Sequence, residues 1–147
     1  MEIRQATTQD SKYIEHLYKE RVNNSSINVH PDRIEQIFQD EHNFLFIIEL
    51  NKNVKGTCFV TFCLDPMYGK QPFVLIENII VSSDSRKKGV GPALLQYVES
   101  FCLNRDCSKI ILQSSNKRQD AHAFFKALGY DQKNKTGFVK YRRNFNG

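Results

Sequence analysis

The run from Phe73 to Ser114 constrains the fold more than any other part of the chain. "FVLIENIIV" (73–81) is the most apolar stretch and reads as a buried strand. After a turn, Gly91, Leu94, Leu95, Val98, Phe101 and Cys102 recur at the spacing of one helical face. "SKIILQS" (108–114) then reads as a second buried strand. Strand, helix and strand in succession imply a parallel pair joined by a right-handed crossover. Upstream, "NFLFIIEL" and "VKGTCFVTFCL" flank "NKN" and predict an antiparallel hairpin of two long strands. The expected class is therefore α/β, a mixed sheet with helices packed against it.

The remaining elements fit this plan. "EIRQAT" alternates as a short first strand, and Asp10 or Ser11 is placed to cap a helix through Tyr13, Ile14, Leu17 and Tyr18. "HPDRIEQIFQD" starts a helix near its proline, with Ile34, Ile37 and Phe38 on one side. "DPMYGKQP" reads as a loop, "RQDAHAFFKALG" as a helix closed by glycine, and "GFVKYRR" as a last strand. No repeat or linker interrupts the 147 residues, which suit one domain over 1–147 with a sizeable core.

The apolar runs are too short and interrupted for a membrane-spanning helix, and "MEIRQATTQD" lacks the apolar core of a signal peptide. These features predict a cytoplasmic protein with no membrane partner. The net charge of +5 points to a polyanionic partner: nucleic acid, an acidic surface or a phosphate-bearing cofactor. Against nucleic acid, and despite the "KYRRNF" tail, the cations are spread among acids and the aromatics read as core. The 4 cysteines form no CxxC pair, and Cys58, Cys63, Cys102 and Cys107 read as small core residues. His16, His30, His42 and His122 show no ligand spacing, so no metal is expected.

The turn "RKKGVGPA" is suited to an anion. Gly89 and Gly91 let the backbone curl so that amide N–H groups converge, and Pro92 sits in the first helical turn, where its missing N–H breaks no bond. The helix dipole favours a negative group there by about 0.3–1 kcal/mol. Two phosphate loops fail on spacing: Pro92 stands where a Walker A lysine belongs, and Leu94 where a dinucleotide fingerprint needs glycine or alanine. A plain glycine turn with solvated lysines is the competing reading. Glu77, inside the apolar strand, is costly to bury unless paired, hydrated or protonated. Its pattern alone fits an ion pair or a solvent-facing position as well as a chemical role.

Arg86-x-x-Gly89-x-Gly91 after a buried strand resembles the pyrophosphate loop of the GNAT superfamily of acyl-CoA-dependent N-acetyltransferases. "LIENIIV" looks like the strand before that loop, and "SSNKRQDAHAFFKALGY" is similar to the S-x-x-R-x-x-A-H-x-F-Y-x-x-x-G-F segment of many small bacterial members. The order of elements matches from Met1 to Arg143. The resemblance implies antiparallel N-terminal strands followed by a splayed parallel pair, with helices on both faces. It implies acetyl-CoA as co-substrate and an amine acceptor that the sequence does not identify. The pyrophosphate would rest on amides from Lys87 to Ala93, among them Lys88, Gly89, Val90 and Gly91, with Arg86 beside them. Pro92 in that run donates nothing. The pantetheine arm would pair with the backbone of Ile79, Ile80 and Val81.

In this family a glutamate at the position of Glu77 often acts as general base through water, and a bulge near Ile79 frees an N–H for the developing oxyanion. One departure bears on chemistry. Many members carry tyrosine, the usual candidate to protonate the departing thiolate, where this chain has Phe125. Water, Tyr97 or Tyr130 would have to serve instead, or the chain is a non-catalytic acyl-CoA-binding module. Ala121, Phe124, Phe125 and Leu128 also make an apolar helix face, so Phe125 reads equally as core. Arg118 stands where an asparagine is common and would reach a cofactor phosphate or cap the helix. Edge strands leave a homodimer open.

Overall fold

The computed structural model describes residues 1–146, and the chain divides into two compact units, Met1–Leu112 and the segment from Gln113 onward. The first unit is built on a five-stranded sheet in the order β1 (Glu2–Gln5), β2 (Asn43–Leu50), β3 (Asn53–Cys63), β4 (Phe73–Val81) and β5 (Ile110–Leu112). The first four strands are mutually antiparallel, and β4 and β5 are parallel. Helices α1 (Ser11–Arg21) and α2 (Pro31–Gln39) lie between β1 and β2, and α3 (Val90–Asn104) makes the crossover from β4 to β5. The expected mixed sheet is thus present.

Alternation along β2 assigns the two faces. Leu45 and Ile47 pack with Ala6, Ile14 of α1 and Ile34 of α2. Phe44 and Phe46 point the other way, against Phe101 of α3 at ring-centroid distances of 4.9 and 5.3 Å. Helices therefore cover both faces. The β2–β3 hairpin turns through Asn51 and Lys52, with φ of 53° and 65°, the left-handed pair of a two-residue type I′ connection.

Three expectations are corrected. Asp10 does not cap α1: its carboxylate accepts bonds from Arg4 at 2.9 and 3.1 Å and from the Thr7 amide at 2.7 Å. The carboxylate is turned toward Arg4 and back to Thr7, whose amide and hydroxyl both reach it, and so away from the amides of α1. The strand read over 108–114 contracts to Ile110–Leu112. Residues 137–143 form no strand: Phe138 is 91% exposed, and the segment curls into a 3₁₀ turn at Arg142–Asn144. Alternating apolar residues make a strand only where one face has something to cover.

In the second unit, α4 (Gln119–Ala127) ends at Gly129, whose φ of 95° suits the left-handed position after a helix.

Candidate functional site

Pairing between β4 and β5 runs from Val74–Ile110 to Ile76–Leu112 and stops. Beyond it, β4 continues through Glu77–Val81 with β3 alone as its ladder partner among the described residues. The parallel pairing ends there. There the β3 register passes from Phe59↔Glu77 to Thr57↔Ile80, so Asn78 and Ile79 together face Cys58. This is a β-bulge, and Asn78 occupies its left-handed position with φ of 55°. Asparagine is among the few residues other than glycine that tolerate such a φ.

Glu77, on the last regular rung, is half-buried and makes no ion pair among the described residues. The ion-pair alternative for its carboxylate is thereby removed. It lies on the face of Phe59, beneath α1 and α2. Ile79 and Val81 are half-buried and Ile80 is buried.

Helix α1 reaches this strand through Tyr18, whose ring packs on the core cluster of Ile14 and Ile47. Burial pushes its phenol up to about 12, the nearby Cys58 adds to this, and a hydrogen bond with the Asn78 side chain opposes it. Tyr18 therefore keeps its proton at physiological pH.

Past β4 the chain enters the glycine turn. Its entry is fixed by Asp84, which accepts bonds from the Ser82 and Ser85 hydroxyls at 2.8 and 2.9 Å and pairs with Lys55 at 2.9 Å. The Lys55 bond first, then the two serine hydroxyls, hold the Asp84 carboxyl well below the usual range. The Ser82 amide donates to the Lys55 carbonyl at 2.8 Å, and the Ser83 amide donates to Glu20 of α1 at 3.3 Å.

Lys87 and Gly89 then take left-handed conformations, with φ of 62° and 80°, and Gly89 is the N-cap of α3. Among the described residues, the amides of Lys87, Lys88, Gly89, Val90 and Gly91 donate to no acceptor, and Ala93 donates to the Gly89 carbonyl at 3.1 Å. Pro92 falls in the first turn. Arg86, Lys87 and Lys88 are exposed and pair with no carboxylate among the described residues. A row of unused donors, a helix N-terminus and unpaired cations fit a diphosphate.

Arg118 and Phe125 lie in the second unit. The Arg118 amide donates to the Ser115 carbonyl at 3.0 Å, but its side chain makes no cap bond to α4. Its Nε is buried without a hydrogen-bond partner among the described residues. Phe125 stacks obliquely on Phe124 at 5.3 Å and meets Tyr130 edge-on at 6.3 Å. His122 is occupied by the Ser115 carbonyl at 2.9 Å. In the first unit, Tyr97 packs on Phe46 of β2 at 5.2 Å, so it belongs to the aromatic layer under α3.

Sequence reasoning missed Tyr18, Glu20, Lys55 and Asp84. Asp84 had a visible signal, since "SSDS" before a glycine turn offers hydroxyl donors around a carboxylate. The other three act across 29 residues or more, which no local pattern encodes.

The model of the acetyltransferase (GNAT) family matches residues 11–130. A curated mouse protein, probable N-acetyltransferase family 8 member 5, is 26% identical over 102 residues, covering 69% of this chain. The chain spans only 44% of that relative's length. Among solved structures, a putative acetyltransferase from Agrobacterium tumefaciens str. C58 superposes with a TM-score of 0.87 at 19% identity, covering 97% of this chain and 100% of its own. An aminoglycoside N-acetyltransferase in complex with CoA gives 0.79 at 23%, covering 96% and 94%. At such identities the structural likeness speaks for the fold.

Proposed function

The chain belongs to the acetyltransferase (GNAT) family, and from that premise we propose that it transfers an acetyl group from acetyl-CoA to a primary amine by direct attack. The observation that carries this reading is the run of unpartnered amides from Lys87 to Gly91 at the left-handed N-cap of α3. These donors would hold the cofactor's diphosphate, with Arg86, Lys87 and Lys88 adding charge. Ile79–Val81 would offer their open strand edge to the pantetheine arm. When bound, the thioester supplies the activated acetyl group.

The chain's own work is to handle protons and charge. A primary amine like that of lysine has a pKa of about 10.4, so its neutral form at pH 7 costs roughly 4–5 kcal/mol. Glu77, unpaired and half-buried on the last rung before the bulge, takes that proton through water. The bulge at Asn78–Ile79 turns the backbone locally, and the Ile79 N–H is the donor proposed for charge developing on the acetyl oxygen.

A second reading rests on Phe125, which has no hydroxyl to give the departing thiolate. On it the protein binds acyl-CoA without turnover. A thiol of pKa about 8.5 leaves as thiolate at pH 7 for only about 2 kcal/mol, so this absence slows transfer rather than forbidding it. Calorimetric titration with coenzyme A, followed by acetylation of a broad amine panel, separates the readings. Binding with transfer is expected. Binding without transfer, even at raised pH, selects the second reading, and no binding overturns both.

A further inference from the structure

We propose that the cavity beside Arg105 is a second binding site, apart from the reacting centre, and that it takes an α-amino acid with an apolar side chain. The cavity measures about 520 Å³, within the range that holds small molecules, and its lining belongs wholly to the first unit. It lies where β2 and β4 begin and β3 ends, and Phe44 within it faces α3. Glu77 is on the opposite face of the sheet, beside Phe59. Arg105 is the C-cap of α3 and Gly89 its N-cap, so the 15 residues of the helix set them about 22 Å apart. A molecule bound here leaves the glycine turn free.

Arg105 selects for a carboxylate. Its guanidinium carbon lies 4.8, 5.2 and 4.6 Å from the ring centroids of Phe44, Phe62 and Phe101. Stacking on three rings orients the planar group and turns the N–H fork at its edge toward an anion. Among the described residues Arg105 pairs with no carboxylate, although Asp40 and Glu41 line the same cavity. Lys70, on the β4 side, is a second cation without an ion pair there.

A plain anion is a poor match for this setting. Asp40 and Glu41 stand on the β2 side, and the negative end of the α3 dipole adjoins the cavity. The ligand must therefore bring a cation as well. Asp40 Oδ2 accepts bonds from the His42 amide at 2.8 Å and from the Asn43 amide and side chain, both at 2.9 Å. These bonds anchor the carboxylate and leave Oδ1 for an ammonium group. A carboxylate toward Arg105 and Lys70, with an ammonium toward Asp40 and Glu41, answers both charges with one small molecule. Leu64, exposed at the rim, gives its side chain apolar cover.

The test is an NMR titration of the full chain with leucine, leucinamide and N-acetylleucine, with and without coenzyme A. Leucine should bind with a Kd of about 0.1–1 mM, shifting amides of residues 40–44, 62–64 and 105 and not those of 77–81. Leucinamide lacks the carboxylate and N-acetylleucine the ammonium, and each should bind roughly tenfold more weakly. Arg105→Gln should weaken leucine about tenfold and leave leucinamide unchanged, while Glu41→Gln should weaken leucine and spare N-acetylleucine. Lys109→Gln removes a cation stacked on Phe73 outside the cavity and should change nothing.

Equal weakening of leucine and leucinamide by Arg105→Gln overturns the proposal. So do shifts confined to 77–81, competition between leucine and coenzyme A, or no saturation by about 20 mM leucine. Acetate binding as tightly as leucine would mark a general anion site and overturns it too. Should Arg105→Gln fail to fold, the three ligands on the wild-type protein decide, and equal affinities reject the site. None of these readings depends on acetyl transfer, so the proposal stands or falls apart from the function proposed above.

Discussion

Glu77 stands opposite Phe59 on the final regular rung of the β3–β4 ladder, with the bulge beginning at the next residue. Its carboxylate therefore has a fixed backbone and, among the described residues, no salt-bridge partner to compete for it. Glu77→Gln should preserve the fold and coenzyme A affinity while lowering kcat by about 10²–10⁴, the usual worth of a general base. The deficit should narrow as pH rises toward the amine's value of about 10.4, because free amine then forms without help. A pH–rate profile of both proteins checks this. A constant deficit across the range would assign Glu77 a structural role.

Gly89 has a φ of 80°, and a Cβ built on it would meet only Met1 Cε at 3.8 Å. Space is available, so Gly89→Ala should cost only the conformational term of roughly 1–2 kcal/mol. If the unpartnered amides bind the diphosphate, that strain should also appear as a five- to thirtyfold loss of coenzyme A affinity, about the same energy. Gly69, with φ of 70° and nothing within 4 Å, is the control. Gly69→Ala should destabilise to a similar degree and leave calorimetric affinity unchanged. Equal affinity loss in both variants would show a global effect instead of a site.

What could be read from the sequence was whatever is written in neighbouring residues. The period of Leu94, Leu95, Val98 and Cys102 gave α3, and the glycines at 89 and 91 marked the turn before it. The Glu77 position was also visible, since an acid in "FVLIENIIV" breaks an apolar run. The pair of Lys55 with Asp84 was hidden, because it joins residues that only the folded sheet brings together. "GFVKYRR" misled for the converse reason: its alternation is that of a strand, yet Phe138, Val139 and Tyr141 stay exposed. Periodicity states what a segment could cover, and tertiary structure decides whether anything is there to be covered.

Asp84 should make the glycine turn sensitive to acid. Its folded-state pKa is depressed, first by the Lys55 bond and then by the Ser82 and Ser85 hydroxyls. A carboxyl depressed on folding contributes stability that is fully present above its unfolded value near 3.9, and that is lost as pH falls through the folded value. Asp84→Asn keeps an oxygen acceptor and removes the charge. Wild type should therefore unfold at higher urea than Asp84→Asn near neutral pH, with the gap closing below about pH 4. A gap that persists or widens in acid would contradict this arrangement.

The cysteines should divide by position rather than by sequence. Cys58 and Cys102 are buried, at 0% and 3% exposure. Burial pushes both thiols up to about 12, with Cys102 adding to the effect at Cys58 and Cys107 to that at Cys102. Cys63 and Cys107 are half-buried and also raised, by burial in each case. Thiolate is the reactive form, so at pH 8 a thiol near 12 presents only about one part in 10⁴ of it. Native protein treated with a maleimide at pH 8 should take up label at Cys63 and Cys107 alone, and more slowly than a free cysteine. In denaturant, where burial is gone, all 4 should react at the ordinary rate. Intact-mass analysis before and after unfolding counts the labels. Rapid native labelling of Cys58 would mean that the β3 strand opens readily opposite the bulge, and would remove the rigid frame on which the placement of Glu77 depends.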